Sequence, residues 1–247
     1  MRLGIIGGTG TAALFGAGIA IELEPGPWGA TSAPLQRCSL GRHELIFLAR
    51  HGVPDERAIP PHRVNYRANI WAFRELGVDH VLGINAVGGI ASAAAPGRLI
   101  IPDQLIDYTW GRDHTYMGDG RFPLQHVEFT TPFSGALRDR LLAAGRAGGL
   151  DLLPAGTYGA TQGPRLETAA EIDRLERDGC HVVGMTAMPE AGLARELGLS
   201  YAICCVVVNR AAGRSPGGLS IHAEIAASLD TGMAGVRRVV EGLLAMD

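Results

Sequence analysis

Lysine is absent from this chain of 247 residues, and all 22 basic residues are arginine. The absence excludes mechanisms that depend on a lysine, including the phosphate-binding lysine of P-loop proteins and Schiff-base catalysis. An anion site must therefore use arginine, hydroxyl groups and backbone N–H groups. The net charge of −3 gives no general reason to expect nucleic acid or an anionic membrane as a partner.

Cysteine is scarce, and long hydrophobic runs are missing. The four cysteines, Cys38, Cys180, Cys204 and Cys205, form no C-x-x-C motif, so we expect reduced, buried thiols in a cytoplasmic protein. The eight histidines show no H-x-x-x-H pattern or His/Cys cluster, so we expect no metal site. No apolar stretch reaches 18 residues and no signal-peptide pattern is present, so we expect no membrane span.

Apolar runs alternate with helical patterns along the chain. The predicted strands are 3–6, 44–49, 80–84, 99–106, 156–160, 181–184 and 201–208. The predicted helices are 66–76, 134–146, 168–178, 189–197 and 222–244, with Gly77, Gly179 and Gly198 closing three of them. This order predicts an α/β protein with a central, largely parallel sheet. We expect the polar segment 110–131 to leave the sheet and to reach a neighbouring subunit.

Glycines and polar groups follow five of the predicted strands. They are Thr9 within the Gly7–Gly10 turn, Arg50 with His51, Asn85 with Ala86, Thr186, and Asn209. Because the carboxyl ends of parallel strands meet at one edge of a sheet, we expect these groups to converge. A guanidinium, hydroxyl groups and closely approaching backbone N–H groups would together hold a tetrahedral anion without metal or lysine.

Residues 8–13 also fit the G-x-G-x-x-G/A fingerprint of dinucleotide-binding proteins. That fingerprint needs an acidic residue about 20 residues later, at the end of a second strand. Glu22 and Glu24 come too early, and proline and glycine follow them. The sequence therefore disfavours a dinucleotide site, although the glycines could still form a turn with no ligand.

Seven motifs follow one another between residues 4 and 213: GIIGGTG, LARHG, PPHRVNYRANIWA, NAVGGI, TQGPRLET, VGMTAMPEAGLARELGLSYA and NRAAG. In content and order they resemble the trimeric purine nucleoside phosphorylase and methylthioadenosine phosphorylase family. The resemblance implies one α/β domain over residues 1–247, with a mixed, partly barrelled sheet flanked by helices, assembled as a homotrimer. It also implies that inorganic phosphate, without a cofactor, cleaves the N-glycosidic bond of a purine nucleoside.

The resemblance also implies roles for single residues. Phosphate contacts would come from Thr9, Arg50, His51, Asn85, Ala86 and Thr186, and contacts to the nucleoside from Leu166, Glu167, Met185, Asn209, Ala211, His126 and His222. Arg50, His51 and Asn209 would act in catalysis. Glu167 would accept the N1–H of a 6-oxopurine, and Leu166 stands where the family usually has a phenylalanine.

Position 209 indicates the base. Family members that cleave 6-aminopurines carry D-x-D here, whereas this chain has Asn209 and, two residues later, Ala211. An asparagine amide can donate to N7 and orient to suit O6, but it offers no carboxylate to the amino group of adenine. We therefore expect hypoxanthine, or guanine, as the base.

Two histidines give opposite indications about the 5' end of the ribose. His126 matches a histidine that methylthio-specific members place in a neighbour's site, and His222 matches one that faces the 5'-hydroxyl in inosine phosphorylases. The whole-chain pattern favours S-methyl-5'-thioinosine as the substrate. An inosine or guanosine phosphorylase, a methylthioadenosine phosphorylase, a nucleoside hydrolase and a purine- or phosphate-binding protein without activity stay open as alternatives.

Overall fold

The computed structural model describes residues 1–8, 10–11, 14–15, 18–53, 58–215 and 220–246. Its strands are β1 Leu3–Gly7, β2 Ile19–Ala20, β3 Gln36–Leu40, β4 His43–Ala49, β5 His80–Gly89, β6 Leu99–Ile100, β7 Gln104–Asp107, β8 Leu152–Leu153, β9 Thr157–Ala160, β10 Val182–Gly184 and β11 Ser200–Arg210. Its α-helices are α1 Tyr66–Glu75, α2 Gly135–Ala147, α3 Ala169–Arg177, α4 Ala187–Glu196 and α5 Ile221–Leu244. Every predicted helix is present, and the predicted α/β class is confirmed.

The described strands belong to one mixed sheet. Its main path runs β2-β3-β4-β1-β5-β10-β9-β7, and β11 lies along the other edge of β5 and also pairs with β6. β1 is parallel to β4 and to β5, and β11 is parallel to β5. β10 is antiparallel to β5, and β3 is antiparallel to β4. The expectation of a mixed sheet with mostly parallel pairs is therefore confirmed.

The neighbour of β5 changes part-way along one of its edges. β1 pairs with β5 as far as Ile84, and β10 pairs with it from Gly88 onward. Residues 85–87 between these two points have no strand partner on that edge among the described strands. Because ligands of open α/β sheets bind where neighbouring strands diverge, this opening is a natural place for a binding site.

Helices cover the sheet through apolar stripes of helical spacing. On α5 the side chains of Val236, Val239, Val240 and Leu243 are fully buried, and the helix packs against β11 and α2. The i, i+3, i+4 and i+7 spacing of these four residues places them on one face of the helix. Ser220 caps α5 by accepting a hydrogen bond from the N–H of Ala223 at 3.3 Å. Local capping and the apolar face together position the start of α5 beside the opening in the sheet.

Some predicted boundaries are wrong. The predicted strand 99–106 consists of β6 and β7, because Pro102 has no N–H for the ladder and stands in the break between them. The strand predicted to end at 84 continues to Gly89, so NAVGG is strand and not turn. The strands β2, β3 and β8 were not predicted, since two of them have two residues and β3 carries polar side chains. The predicted excursion is present: residues 108–134, all described, form neither helix nor strand.

Candidate active site

A cavity of about 450 Å³ lies at the opening beside β5. Ten of the predicted site residues line it: Arg50, His51, Asn85, Ala86, Leu166, Glu167, Met185, Thr186, Asn209 and Ala211. These residues come from distant parts of the chain, and the fold brings them together. The volume falls within the range of about 300–1,000 Å³ that is usual for small-molecule sites.

Three predicted site residues have a different position. Thr9 lies outside the described residues. His126 and His222 are exposed, and neither is among the described residues that line the cavity. On α5 the lining residues are Ile221 and Ile225, which are four positions apart and share one helix face. His222 lies about 100° further around the helix than Ile221, and isoleucines form the cavity wall there, so a contact between His222 and a ligand stays a prediction.

Arg50 is 1% exposed, and most of its guanidinium is already hydrogen-bonded within the protein. Its Nε and Nη2 donate to the two carboxylate oxygens of Glu190, which is fully buried. Nη2 also donates to the carbonyl of Ile6 at 3.1 Å, and Nη1 donates to the carbonyl of Ile84 at 3.2 Å. Of the five N–H groups of an arginine, these bonds leave one, on Nη1, without a partner in the described residues.

Nη1 of Arg50 lies close to Gly8. A Cβ atom at Gly8 would lie 3.1 Å from Nη1, so a side chain at that position would crowd the guanidinium. Burial alone would lower the pKa of Arg50, but the negative charge of Glu190 and its hydrogen bond raise it above the usual value. Arg50 is therefore a charged residue with a single N–H for a ligand. The sequence-based expectation of a free planar fork at this position is corrected.

His51 lines the cavity as a neutral imidazole with a defined tautomer. Its Nδ1 lies 2.8 Å from the carbonyl oxygen of Ile59, and because a carbonyl only accepts, Nδ1 carries the proton. Burial and the neighbouring positive charge of Arg50 lower the pKa of His51, and the bond to Ile59 only partly opposes them. Near neutral pH, Nε2 is therefore an unprotonated acceptor.

Thr186 lines the cavity, and its hydroxyl oxygen accepts one hydrogen bond from within the protein. The amide Nδ2 of Asn85 donates to Oγ1 of Thr186 at 2.7 Å, and both side chains are buried. The backbone N–H of Thr186 donates to the hydroxyl of Tyr158 at 3.3 Å. These bonds hold Thr186 where α4 begins, at the end of β10, with its hydroxyl proton free to donate to an anion.

A bulge in β11 turns the side chain of Asn209 into the cavity. The register with β5 shifts between Val207 and Asn209, so Val208 is an extra residue in the strand. As a result, Val208 and Asn209 are consecutive in sequence and both line the cavity. One Nδ2–H of Asn209 donates to the carbonyl of Arg210 at 2.7 Å, which fixes the amide and leaves its second N–H for a ligand.

The carboxylate of Glu167 is held by Thr161, the residue that follows the end of β9. Thr161 donates its hydroxyl proton to Oε1 of Glu167 at 2.6 Å, and Oε2 is left to accept from a ligand. Both residues also line a second cavity of about 320 Å³. Glu167 therefore stands in the wall between two cavities, and its bond to Thr161 determines where the carboxylate lies.

Arg112, from the excursion, joins the two loops that hold Glu167 and Met185. It is 7% exposed and donates to the carbonyls of Met185 at 2.8 Å, Thr161 at 3.1 Å and Gln162 at 2.8 Å. Between these loops, Gly163 has φ +62°, and a Cβ there would lie 2.5 Å from the Sδ of Met185. A glycine at 163 thus allows the positive φ and the close approach of Met185.

Comparison with known proteins gives one consistent result. Residues 2–245 match the model of the Phosphorylase superfamily. The chain is 49% identical over 241 residues to a probable S-methyl-5'-thioinosine phosphorylase of Pseudomonas syringae, with 97% of each chain covered. It is 42% identical over 229 residues to the 6-oxopurine nucleoside phosphorylase of Pyrococcus furiosus, with 91% of this chain and 84% of that protein covered. This chain belongs to the phosphorylase superfamily.

Solved structures agree with this membership. The chain superposes on methylthioadenosine phosphorylase from Schistosoma mansoni in complex with adenine, with a TM-score of 0.91 and 28% identity. All of this chain and 91% of that chain are covered. The comparison supports the single α/β fold that the motifs predicted for a phosphorylase.

Several residues in or around this phosphorylase site carry no signal that predicted them from the sequence. They are Arg112, Thr161, Glu190, Ile221 and Ile225, together with Tyr201, which bonds Glu190 behind the cavity. A charged residue in a long loop, such as Arg112, and a glutamate in an apolar helix, such as Glu190, are signals of buried polar contacts. Apart from Tyr201, which bonds Glu190 from 11 positions away, the side-chain partners of these two residues are 46 to 140 residues away, and no local pattern identifies them.

The described part of this phosphorylase contains no group of three or more His, Cys, Asp or Glu side chains that could hold a metal ion. Among the described helices, none combines the length and the hydropathy that a membrane crossing needs.

Proposed function

We propose that this chain catalyses the phosphate-dependent cleavage of a 6-oxopurine nucleoside, S-methyl-5'-thioinosine, to hypoxanthine and 5-methylthioribose 1-phosphate. The observation that carries the proposal is the division of the cavity into two kinds of wall. Arg50 and Thr186 offer donors for an anion at one end, beside the acceptor Nε2 of His51, whereas Glu167 and Asn209 offer complementary groups for the edge of a purine.

The base-binding groups support a 6-oxopurine. The free oxygen of Glu167 is an acceptor for the N1–H that hypoxanthine carries and adenine lacks. The free N–H of Asn209 is a donor for N7. Ala211, 2% exposed, stands where an aspartate would be needed to accept from a 6-amino group. The relatives named as 6-oxopurine and S-methyl-5'-thioinosine phosphorylases agree with this specificity.

The wall formed by α5 supports a methylthio group at the 5' position. Ile221 and Ile225 line the cavity, and the polar side chain of the same helix turn, His222, is exposed. An apolar wall stabilises a thioether and leaves a 5'-hydroxyl without a partner, which costs about 1–3 kcal/mol in a buried site. This arrangement favours S-methyl-5'-thioinosine over inosine.

The proposed reaction is a glycosyl transfer through an oxocarbenium-like sugar. The departing purine gathers negative charge on its five-membered ring, and Asn209 stabilises that charge by donating to N7. Phosphate accepts hydrogen bonds from Arg50, Thr186 and the backbone at Ala86, donates its P–OH proton to Nε2 of His51, and attacks C1'. Positioning the phosphate and the Asn209 amide before the reaction begins lowers the barrier without covalent catalysis by the protein.

We propose a homotrimer in which His126 serves the cavity of a neighbouring copy. His126 is exposed on the excursion, and Trp110 and Leu124 of the same segment are 72% and 76% exposed. Large apolar side chains with this exposure are suited to an interface between copies. Light scattering of the purified protein tests the assembly.

We also place the enzyme in the cytoplasm, where the reduced state of its four free, buried cysteines is maintained.

Base release from four nucleosides, measured with and without phosphate, tests the proposal. The nucleosides are S-methyl-5'-thioinosine, S-methyl-5'-thioadenosine, inosine and guanosine. We expect release only with phosphate, and fastest from S-methyl-5'-thioinosine. Equal rates without phosphate would indicate a hydrolase, a preference for inosine or guanosine would place a 5'-hydroxyl beside α5, and no release at all would leave a binding protein.

A further inference from the structure

A buried ion pair lies behind the anion-binding end of the cavity. Both oxygens of Glu190 accept from the guanidinium of Arg50, and Oε2 also accepts from the hydroxyl of Tyr201 at 2.8 Å. Glu190 is 0%, Arg50 1% and Tyr201 2% exposed. The carboxylate is therefore withdrawn from water, and both of its oxygens are paired with Arg50, the one arginine among the described residues that line the cavity.

We infer that Glu190 is a positioning residue that cancels the charge of Arg50, so that bound phosphate is held by an electrically neutral site and keeps its negative charge for the reaction. This inference rests on the proposed function and extends it. It concerns the affinity for phosphate and the strength of the electrostatic attraction between the bound phosphate and the positively charged sugar.

The charges around the cavity support this inference. Arg50 is the one arginine among the described lining residues, and the chain has no lysine. His51 is held neutral by its burial and by the adjacent guanidinium. The single positive charge at this end therefore faces a single buried negative charge, and Glu167, the one carboxylate among the described lining residues, belongs to the proposed base-binding end.

The hydrogen bonds of Arg50 lead to the same conclusion. An unpaired arginine presents two parallel N–H groups to phosphate and binds it as a charged fork. Here those two groups, on Nε and Nη2, are taken by Glu190, and one N–H on Nη1 remains. Thr186 and backbone N–H groups, which are neutral donors, must supply the remaining contacts.

A neutral phosphate site favours the transition state over the bound reactants. Strong attraction between phosphate and an unbalanced guanidinium would stabilise the ground state, and binding of that kind does not raise kcat. Attraction between the phosphate dianion and the oxocarbenium-like sugar arises only as the glycosidic bond breaks. Cancelling the charge of Arg50 weakens the first interaction and preserves the second.

The test compares two variants in the full-length enzyme. Glu190→Gln removes the negative charge, and Tyr201→Phe removes one hydrogen bond to Glu190 without changing any charge. Binding of inorganic phosphate is measured by titration calorimetry, and kcat and the KM for phosphate are measured with S-methyl-5'-thioinosine. We expect Glu190→Gln to bind phosphate roughly tenfold more tightly and to have a lower kcat, while Tyr201→Phe stays within about twofold of the wild-type affinity.

A purely structural role for Glu190 predicts a different result. The affinity for phosphate would then fall together with kcat, and Tyr201→Phe would show a smaller loss of the same kind; either pattern, or an unchanged affinity in Glu190→Gln, overturns the inference. A wild-type enzyme that binds no phosphate would refute the proposed function instead, so the two failures are distinguishable.

Removal of the whole network provides a second test if Glu190→Gln does not fold. The triple variant Arg50→Met/Glu190→Met/Tyr201→Phe removes the guanidinium, the carboxylate and the phenol hydroxyl together, and apolar replacement of a buried ion pair is often tolerated. If the pair contributes only one N–H, phosphate affinity falls by less than about thirtyfold. A larger loss would mean that the charge of Arg50 holds the phosphate, and the inference would be wrong.

Discussion

Replacement of Asn209 by alanine tests the proposed stabilisation of the leaving base. One N–H of its amide is bound to the carbonyl of Arg210 at 2.7 Å, which fixes the other N–H toward the cavity. The side chain is 7% exposed, so this donor acts where little water can replace it. Removal of a comparable preorganised donor lowers kcat by about 10²–10³-fold, or about 2.7–4 kcal/mol. We expect a loss of that size in Asn209→Ala.

The assay compares two nucleosides that differ in their need for this donor. The hypoxanthine of S-methyl-5'-thioinosine leaves as an anion. In the N7-methylated derivative, the five-membered ring of the base already carries a positive charge, and N7 has no lone pair to protonate. Asn209→Ala should therefore slow the first substrate strongly and the second by less than about tenfold, since the missing donor matters only where negative charge develops. Equal losses on both substrates, with the melting temperature unchanged, would show that Asn209 does not act on the leaving group.

Three further variants test the surroundings of the site. Thr161→Val should lower kcat/KM for 6-oxopurine nucleosides about tenfold, because Glu167 loses a charged hydrogen bond, and Thr161→Ser should restore it; an equal defect in both variants would contradict the role of the hydroxyl. Arg112→Lys should lower kcat/KM and the melting temperature nearly as much as Arg112→Met, because a lysine cannot reach carbonyls on two loops with a planar fork; full activity in the lysine variant would refute this. The pKa of His51 is lower in the folded protein than in the unfolded chain, where it is about 6.5. The neutral imidazole therefore contributes its full stabilisation at a pH above about 6.5, and this stabilisation is lost as the pH falls below the pKa of the folded state. Thermal unfolding of His51→Gln between about pH 7 and 5 should therefore show a shallower decline than the wild type, and parallel curves would exclude the effect.

Local sequence patterns determined the secondary structure that surrounds the site. The apolar stripe of α5 and the glycines after α1, α3 and α4 were sufficient to predict those helices, because helix periodicity and positive-φ stops depend on neighbouring residues. Ten site residues were identified because strand ends in an α/β sheet share one edge, and because their motifs matched a known family in order and spacing.

The geometry within the site depends on contacts that no local pattern contains. The sequence predicted a free phosphate fork at Arg50, but Glu190, 140 residues later in the chain, takes two of its five N–H groups, and two backbone carbonyls take two more. A bulge of one residue aims Asn209 into the cavity, and the rotation of α5 places Ile221 there instead of His222. The sequence alone therefore determined which chemical groups gather at this sheet opening. Tertiary packing decided which of them still have a free donor, a charge or an apolar face to offer, because hydrogen-bond partners and buried charges are set by residues that meet only after the chain has folded.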